Sequence, residues 1–208
     1  MEGDGGNIDI QFGTFTEVLK EKGRYYNDHC LILSENTWHF FGIVGTSDPN
    51  NLDVKHPADE TSIAHATSPD LQNWTIHPDI LHATGSWPEE SNVFAPNVIE
   101  HEGLYYMLYC ASDVQHIQRL CLATSPDLFQ WKKYSGNPVI LPSVYWAEWP
   151  GFTVHEPDGH RTFGGCRDAH ILELDDGTHA AYWVSRLRGD KFGPGMVGVA
   201  ASVSQDLI

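Results

Sequence analysis

Two ten-residue segments, HATSPDLQNW (65–74) and LATSPDLFQW (122–131), are near copies of each other, and a weaker third copy, AASVSQDLI, occupies 200–208. Self-similarity of this kind constrains a fold more than composition does, because each copy has to belong to one supersecondary unit. Asp70, Asp127 and Asp206 mark the common register. Pro69 and Pro126 favour a turn in the first two copies, and Trp74 and Trp131 stand where they can pack back over a neighbouring strand.

The stretches ahead of these segments repeat as well. Residues 27–43 (NDHCLILSENTWHFFGI), 94–109 (FAPNVIEHEGLYYMLY) and 167–184 (RDAHILELDDGTHAAYWV) share one plan: a start segment, an apolar run, a polar tip and an aromatic strand. That is the pattern of hairpins, and no strongly periodic helix interrupts it. Short strands with turn signals, recurring at roughly fifty residues or more, predict an all-β chain built as a β-propeller. A β-sandwich needs no repeat, and a β-helix would repeat at a shorter period. The expected blade-like units are 25–75, 92–132 and 165–208, within a single domain over 1–208. Propellers close with about four to eight blades, so about three blades make a partial propeller. The expectation is a chain truncated at its C-terminus, just ahead of a third tryptophan.

Composition narrows the partners. The 208 residues are 41% hydrophobic and 19% charged, enough apolar material for a core. A net charge of -16, from 12 Lys plus Arg against 28 Asp plus Glu, predicts repulsion from nucleic acid and from anionic membranes. Neutral ligands carry no such penalty. No apolar run is long enough to span a bilayer, and MEGDGGNIDI lacks the basic and apolar regions of a secretion signal. The chain as it stands reads as cytoplasmic, with secretion open if the N-terminus is incomplete. Cys30, Cys110, Cys121 and Cys166 form no C-x-x-C pair, which predicts buried thiols rather than a metal cluster.

Superposing the three units by their apolar runs sets Asp28 opposite Ala95 and Asp168. The first strand of a propeller blade lies nearest the central axis, so two carboxylates converge from different blades on one cavity. Glycoside hydrolysis requires convergent carboxylates. The plainer alternatives are a turn-capping role for Asp28 and a structural ion pair for Arg167 and Asp168. Asp70, Asp127 and Asp206 read as structural, because a catalytic group does not recur in every unit. His29 and His170 read either as hydrogen-bond donors to a sugar or as satisfied structural groups. No histidine spacing matches a zinc motif, so no metal site is expected. Trp87, Phe94, Trp146 and Trp149 are either blade-to-blade packing or a stacking platform for a neutral ligand.

Taken in order, YYNDHCLI, FAPNVIEHEGLYYMLY, ATSPDLFQW and CRDAHIL resemble the five-bladed propeller glycosidases of glycoside hydrolase families 32 and 43, from about Tyr25 to Ile208. The resemblance implies hydrolysis of a fructoside, arabinoside or xyloside, with a small oligosaccharide or glycoside as partner. It implies no cofactor beyond an axial calcium ion allowed by family analogy. Asp28 would be the nucleophile or general base, and Asp168 the stabiliser of the transition state. Arg167 would orient that carboxylate or the sugar. Asn27, His29, Phe94, Asn97 and His170 are the further expected substrate contacts.

Departures from the family patterns point to a less standard branch. His29-Cys30 follows Asp28 where family 32 has Pro-Asn-Gly, Ala169 replaces a proline, and Asn97 stands where family 43 often has aspartate. The general acid is expected beyond Ile208, with Glu148 and Glu156 as alternatives within the chain. On that expectation the polypeptide alone is inactive or nearly so. Two other classes are a noncatalytic sugar-binding propeller or inactive fragment, and an interaction scaffold.

Overall fold

The computed structural model describes residues 17–48, 50–147, 164–193, 196–205 and 207. Glu148, Trp149, Glu156 and Asp206 therefore lie outside the described residues. The chain is an all-β propeller assembled from antiparallel meanders. The first consists of β1 (Arg24–Ser34), β2 (Thr37–Asp48), β4 (Ser62–Ser68) and β5 (Thr75–Ile80), with β3 (Asn51–His56) pairing on β2. The second consists of β6 (Asn92–His101), β7 (Leu104–Ser112), β8 (Ile117–Ser125) and the short β9 (Lys132–Lys133). The third consists of β10 (Gly164–Glu173), β11 (His179–Arg186) and β12 (Val197–Ser204), with one helical turn, α1 (Gly189–Phe192), before β12. Among the described residues no helix is long and apolar enough to cross a membrane.

The repeated S-P-D-L segment folds in the same way twice. The Asp70 carboxylate accepts from the backbone N–H groups of Gln72 (2.9 Å) and Asn73 (2.8 Å), and Asp127 does the same with Phe129 (2.9 Å) and Gln130 (2.7 Å). These bonds favour the ionised form and hold both carboxyls below the usual carboxylate range. Leu71 and Leu128 both take positive φ, and their carbonyls accept from the Trp74 and Trp131 indoles at 3.3 and 3.0 Å. Each tryptophan then meets a phenylalanine of β2 edge to face, Trp74 against Phe40 and Trp131 against Phe41. The structural reading of Asp70 and Asp127 is thereby accounted for, atom by atom.

The middle meander is apolar on both faces because it lies between two others. Along β7, Met107, Tyr109 and Ala111 join the cluster that contains Phe41, Ile63 and Val93, whereas Leu108 and Cys110 join the cluster that contains Cys166, Ile171 and Trp183. Alternate residues of a strand point to opposite faces, so a doubly covered strand reads as an unbroken apolar run. All four cysteines are free thiols, and burial pushes Cys30, Cys121 and Cys166 up to about 12.

The second and third meanders also meet directly. Gly164 and Gly165 pair in parallel with Ile117 and Gln118 of β8. Gly165 has φ +121°, and a Cβ there would stand 2.1 Å from the Gln118 carbonyl oxygen, so the approach requires glycine.

Candidate active site

The innermost strands β1, β6 and β10 each carry a β-bulge at the same place. Pairing with the neighbouring strand breaks between Asn27 and His29, between Phe94 and Asn97, and between Arg167 and His170. Each break inserts one residue more than the partner strand has, which bends the strand and re-aims its side chains. Ala95 and Asp168 sit at positive φ, +43° and +53°. Alanine carries the steric cost of that region, whereas aspartate tolerates it better than most residues. The register inferred by superposing the repeats is thus the register of three equivalent bulges.

The bulges bring Asp28, His29, Ala95, Pro96, Asn97, Asp168, Ala169 and His170 around one open cleft of about 480 Å³. Asp28 and His29 come from one blade, Asp168 and His170 from another, and Ala95 leaves space between them. Asp28 and His29 are exposed at this surface. The His29 ring stacks on Phe40 with centroids 5.3 Å apart, which anchors its orientation.

Asp168 is held above the usual carboxylate range, first by desolvation and further by the negative charge of Asp28; Arg167 opposes the shift. The Arg167 Nε lies 3.2 Å from the Asp168 carboxylate, and both side chains are about two-fifths exposed. An ion pair that open to water contributes little to stability. Arg167 itself is not among the residues that line the cleft.

Asn97 is engaged at both ends of its amide. Its Oδ1 accepts from the Ile171 backbone N–H at 2.8 Å, and its Nδ2 donates to His170 Nδ1 at 3.0 Å. His170, when neutral, then carries its proton on Nε2, available to a ligand. An aspartate at position 97 could accept from Ile171, but it would draw the His170 proton to Nδ1 and leave Nε2 without one when the ring is neutral. This gives a physical reason for asparagine at that position.

Other expected contacts fall elsewhere. Phe94 is buried in the apolar cluster between the second and third meanders and does not line the cleft. Asn27 is exposed on β1 next to the bulge, outside the cleft lining. Trp87 is exposed, with the Arg119 guanidinium over its ring at 5.6 Å.

A third carboxyl near Asp28 belongs to no motif. Glu60 is buried and accepts from the Tyr25 hydroxyl at 2.7 Å. Desolvation raises its pKa most, and the Asp28 charge raises it further. Only the packing of the chain after β3 against β1 reveals it.

Comparison with known proteins gives the family of the chain. The profile described as Glycosyl hydrolases family 43 matches residues 19–147. Over 84 residues the chain is 36% identical to the vacuolar acid beta-fructofuranosidase 1 of a Rosa hybrid cultivar, covering 38% of this chain and 14% of that protein. Over 132 residues it is 27% identical to the beta-D-galactofuranosidase xynD of Aspergillus niger, covering 57% of this chain and 39% of that one. The crystal structure of a thermostable family-43 glycoside hydrolase superposes with a TM-score of 0.59 at 20% identity, over 88% of this chain and 50% of its own. The chain thus spans at most about two-fifths of these two curated relatives. With the profile covering more than half of the sequence, and with the bulged inner strands of a propeller beneath it, the chain belongs to glycosyl hydrolase family 43.

Proposed function

We propose that this chain forms the sugar-binding floor of an enzyme that hydrolyses a neutral glycoside, with a five-membered sugar ring as the preferred substrate class. The observation that carries the reading is the delivery of Asp28 and Asp168 into one cleft by equivalent bulges of different blades. The furanoside preference rests on the names of the two curated relatives, a fructofuranosidase and a galactofuranosidase.

Glycosidic bond cleavage passes through an oxocarbenium-like transition state, in which positive charge develops at the anomeric carbon. Asp28, exposed at the cleft, either attacks that carbon or takes a proton from the water that does. Asp168 binds sugar hydroxyls, and its charge offsets the developing positive charge. Arg167 orients Asp168, while His170 and His29 offer ring N–H groups to the remaining hydroxyls. Asn97 acts at one remove, as a positioning residue for His170. The leaving group needs a proton from a third group. Glu148 and Glu156 are the candidates within the chain.

A noncatalytic sugar-binding propeller is the second reading, favoured by one observation: among the described residues the cleft lining holds only the two carboxylates. A substrate with a good leaving group separates the two. Dinitrophenolate departs without protonation, so a dinitrophenyl furanoside tests Asp28 without the acid. Turnover that falls about 10²- to 10⁴-fold in Asp28→Asn supports the enzyme. Saturable sugar binding with no turnover in the unaltered chain supports the binding module, and turnover unchanged in Asp28→Asn removes Asp28 from its role.

A further inference from the structure

We infer that His101, Glu173 and His179 form a binding site for a divalent transition metal ion of the zinc type, clamping the second blade to the third. One ligand atom from each residue lies within 4.8 Å of the others. His101 ends β6, Glu173 ends β10 and His179 begins β11. Glu173 and His179 are direct cross-strand partners in the antiparallel pairing of β10 with β11. His101 reaches them from the neighbouring blade, and its ring meets that of His179 edge on, with centroids 4.5 Å apart.

A second observation points to a ligand. His179 is 2% exposed, and neither of its ring nitrogens has a hydrogen-bond partner among the described residues. A buried imidazole with both nitrogens unpaired bears a desolvation cost that native structures rarely leave unmet. A bound metal ion supplies the missing partner to one of them. Two imidazoles and one carboxylate are a common three-residue donor set for zinc, with a fourth position left to water. Glu173 is exposed, so that position opens to solvent.

The site is separate from the sugar cleft. His101 follows Asn97 by four residues and Glu173 follows His170 by three, about 10–13 Å further along extended strands. The same register serves both ends. The bonds from Asn97 to Ile171 and His170 align β6 with β10, and that alignment sets His101 beside Glu173. The expectation of no metal rested on spacing along the chain. Three donors from three strands of two blades leave no local spacing to read.

The test is titration of the full chain, stripped with a chelator, with zinc chloride alone, followed by calorimetry and by thermal unfolding. Cobalt(II) serves as a spectroscopic reporter of a tetrahedral site. The expected result is one ion per chain and a raised unfolding midpoint. In His101→Ala and Glu173→Gln, affinity falls about tenfold or more, and the cobalt spectrum changes. Both positions lie at strand ends outside the fully buried core, and His77→Ala controls for the remaining histidines. Equal zinc affinity in the unaltered chain and both variants overturns the site, as does binding lost only in His77→Ala. Absence of stoichiometric binding to the unaltered chain overturns it too.

Discussion

The Asn97 side-chain carbonyl accepts the Ile171 backbone N–H across the boundary between the second and third blades, at 2.8 Å. The donor is buried, and the other end of the same amide holds His170 at the cleft. One side chain thus ties blade registration to the orientation of a cleft residue. Asn97→Ala leaves that N–H unpaired, at a cost of about 1–3 kcal/mol. Urea unfolding measures the loss, and sugar affinity falls with it because His170 is no longer fixed.

Asp168→Asn separates stability from function. The carboxyl is raised above its usual range, chiefly by desolvation, so its ionisation works against the folded state. Stability linked to its protonated form is full at low pH and lost as pH rises through the folded pKa. Asparagine tolerates the positive φ equally well. The expected outcome is an unfolding midpoint at pH 7 equal to or above that of the unaltered chain. The difference closes in acid, while turnover of an activated glycoside drops about 10²-fold or more.

Acid acts on a different group. His65 is buried, stacks on Phe41 with centroids 4.7 Å apart, and lies 3.1 Å from the His39 ring nitrogen. Desolvation and the neighbouring histidines push it down to about 3 from 6.5. The unfolded chain therefore binds the extra proton first, and stability present above pH 6.5 is lost as pH falls towards 3. At pH 4 the loss linked to His65 is on the order of 3 kcal/mol. His65→Phe should flatten the fall of the unfolding midpoint between pH 6.5 and 4, without removing the parts due to His39 and His77.

A buried ionic group beside the second meander also has a sizeable effect on stability. The Glu89 carboxylate is buried and bonded by both the Tyr109 hydroxyl and the Lys133 ammonium. Lys133→Met removes the counter-charge and leaves the carboxylate with one neutral donor. A loss of about 2–3 kcal/mol is expected in urea unfolding, somewhat below that of a fully buried pair because Lys133 is a quarter exposed. Tyr109→Phe should cost less, about 1 kcal/mol.

What could be read from the chain alone follows from how local each feature is. The S-P-D-L turns close on bonds between residues two and three apart, so their sequence carries their geometry wherever they occur. Superposing the repeats was enough to set Asp28 against Ala95 and Asp168, because each position follows from counting within a strand. The sequence leaves Phe94 between two roles, since an aromatic residue beside a candidate cleft serves core or ligand equally well, and burial assigns it to the core.

The sequence by itself determined the hairpins, the turns and the order of the blades. These depend on side-chain alternation, glycine and proline conformation, and bonds to near neighbours. Only the tertiary structure decided which groups meet across blade boundaries. Asn97 with Ile171, Glu60 with Tyr25, His39 with His65, and His101 with Glu173 and His179 are all partners distant in sequence. Their pairing rests on the twist and packing of whole sheets, and no local pattern along the chain encodes a desolvation cost or a shared charge.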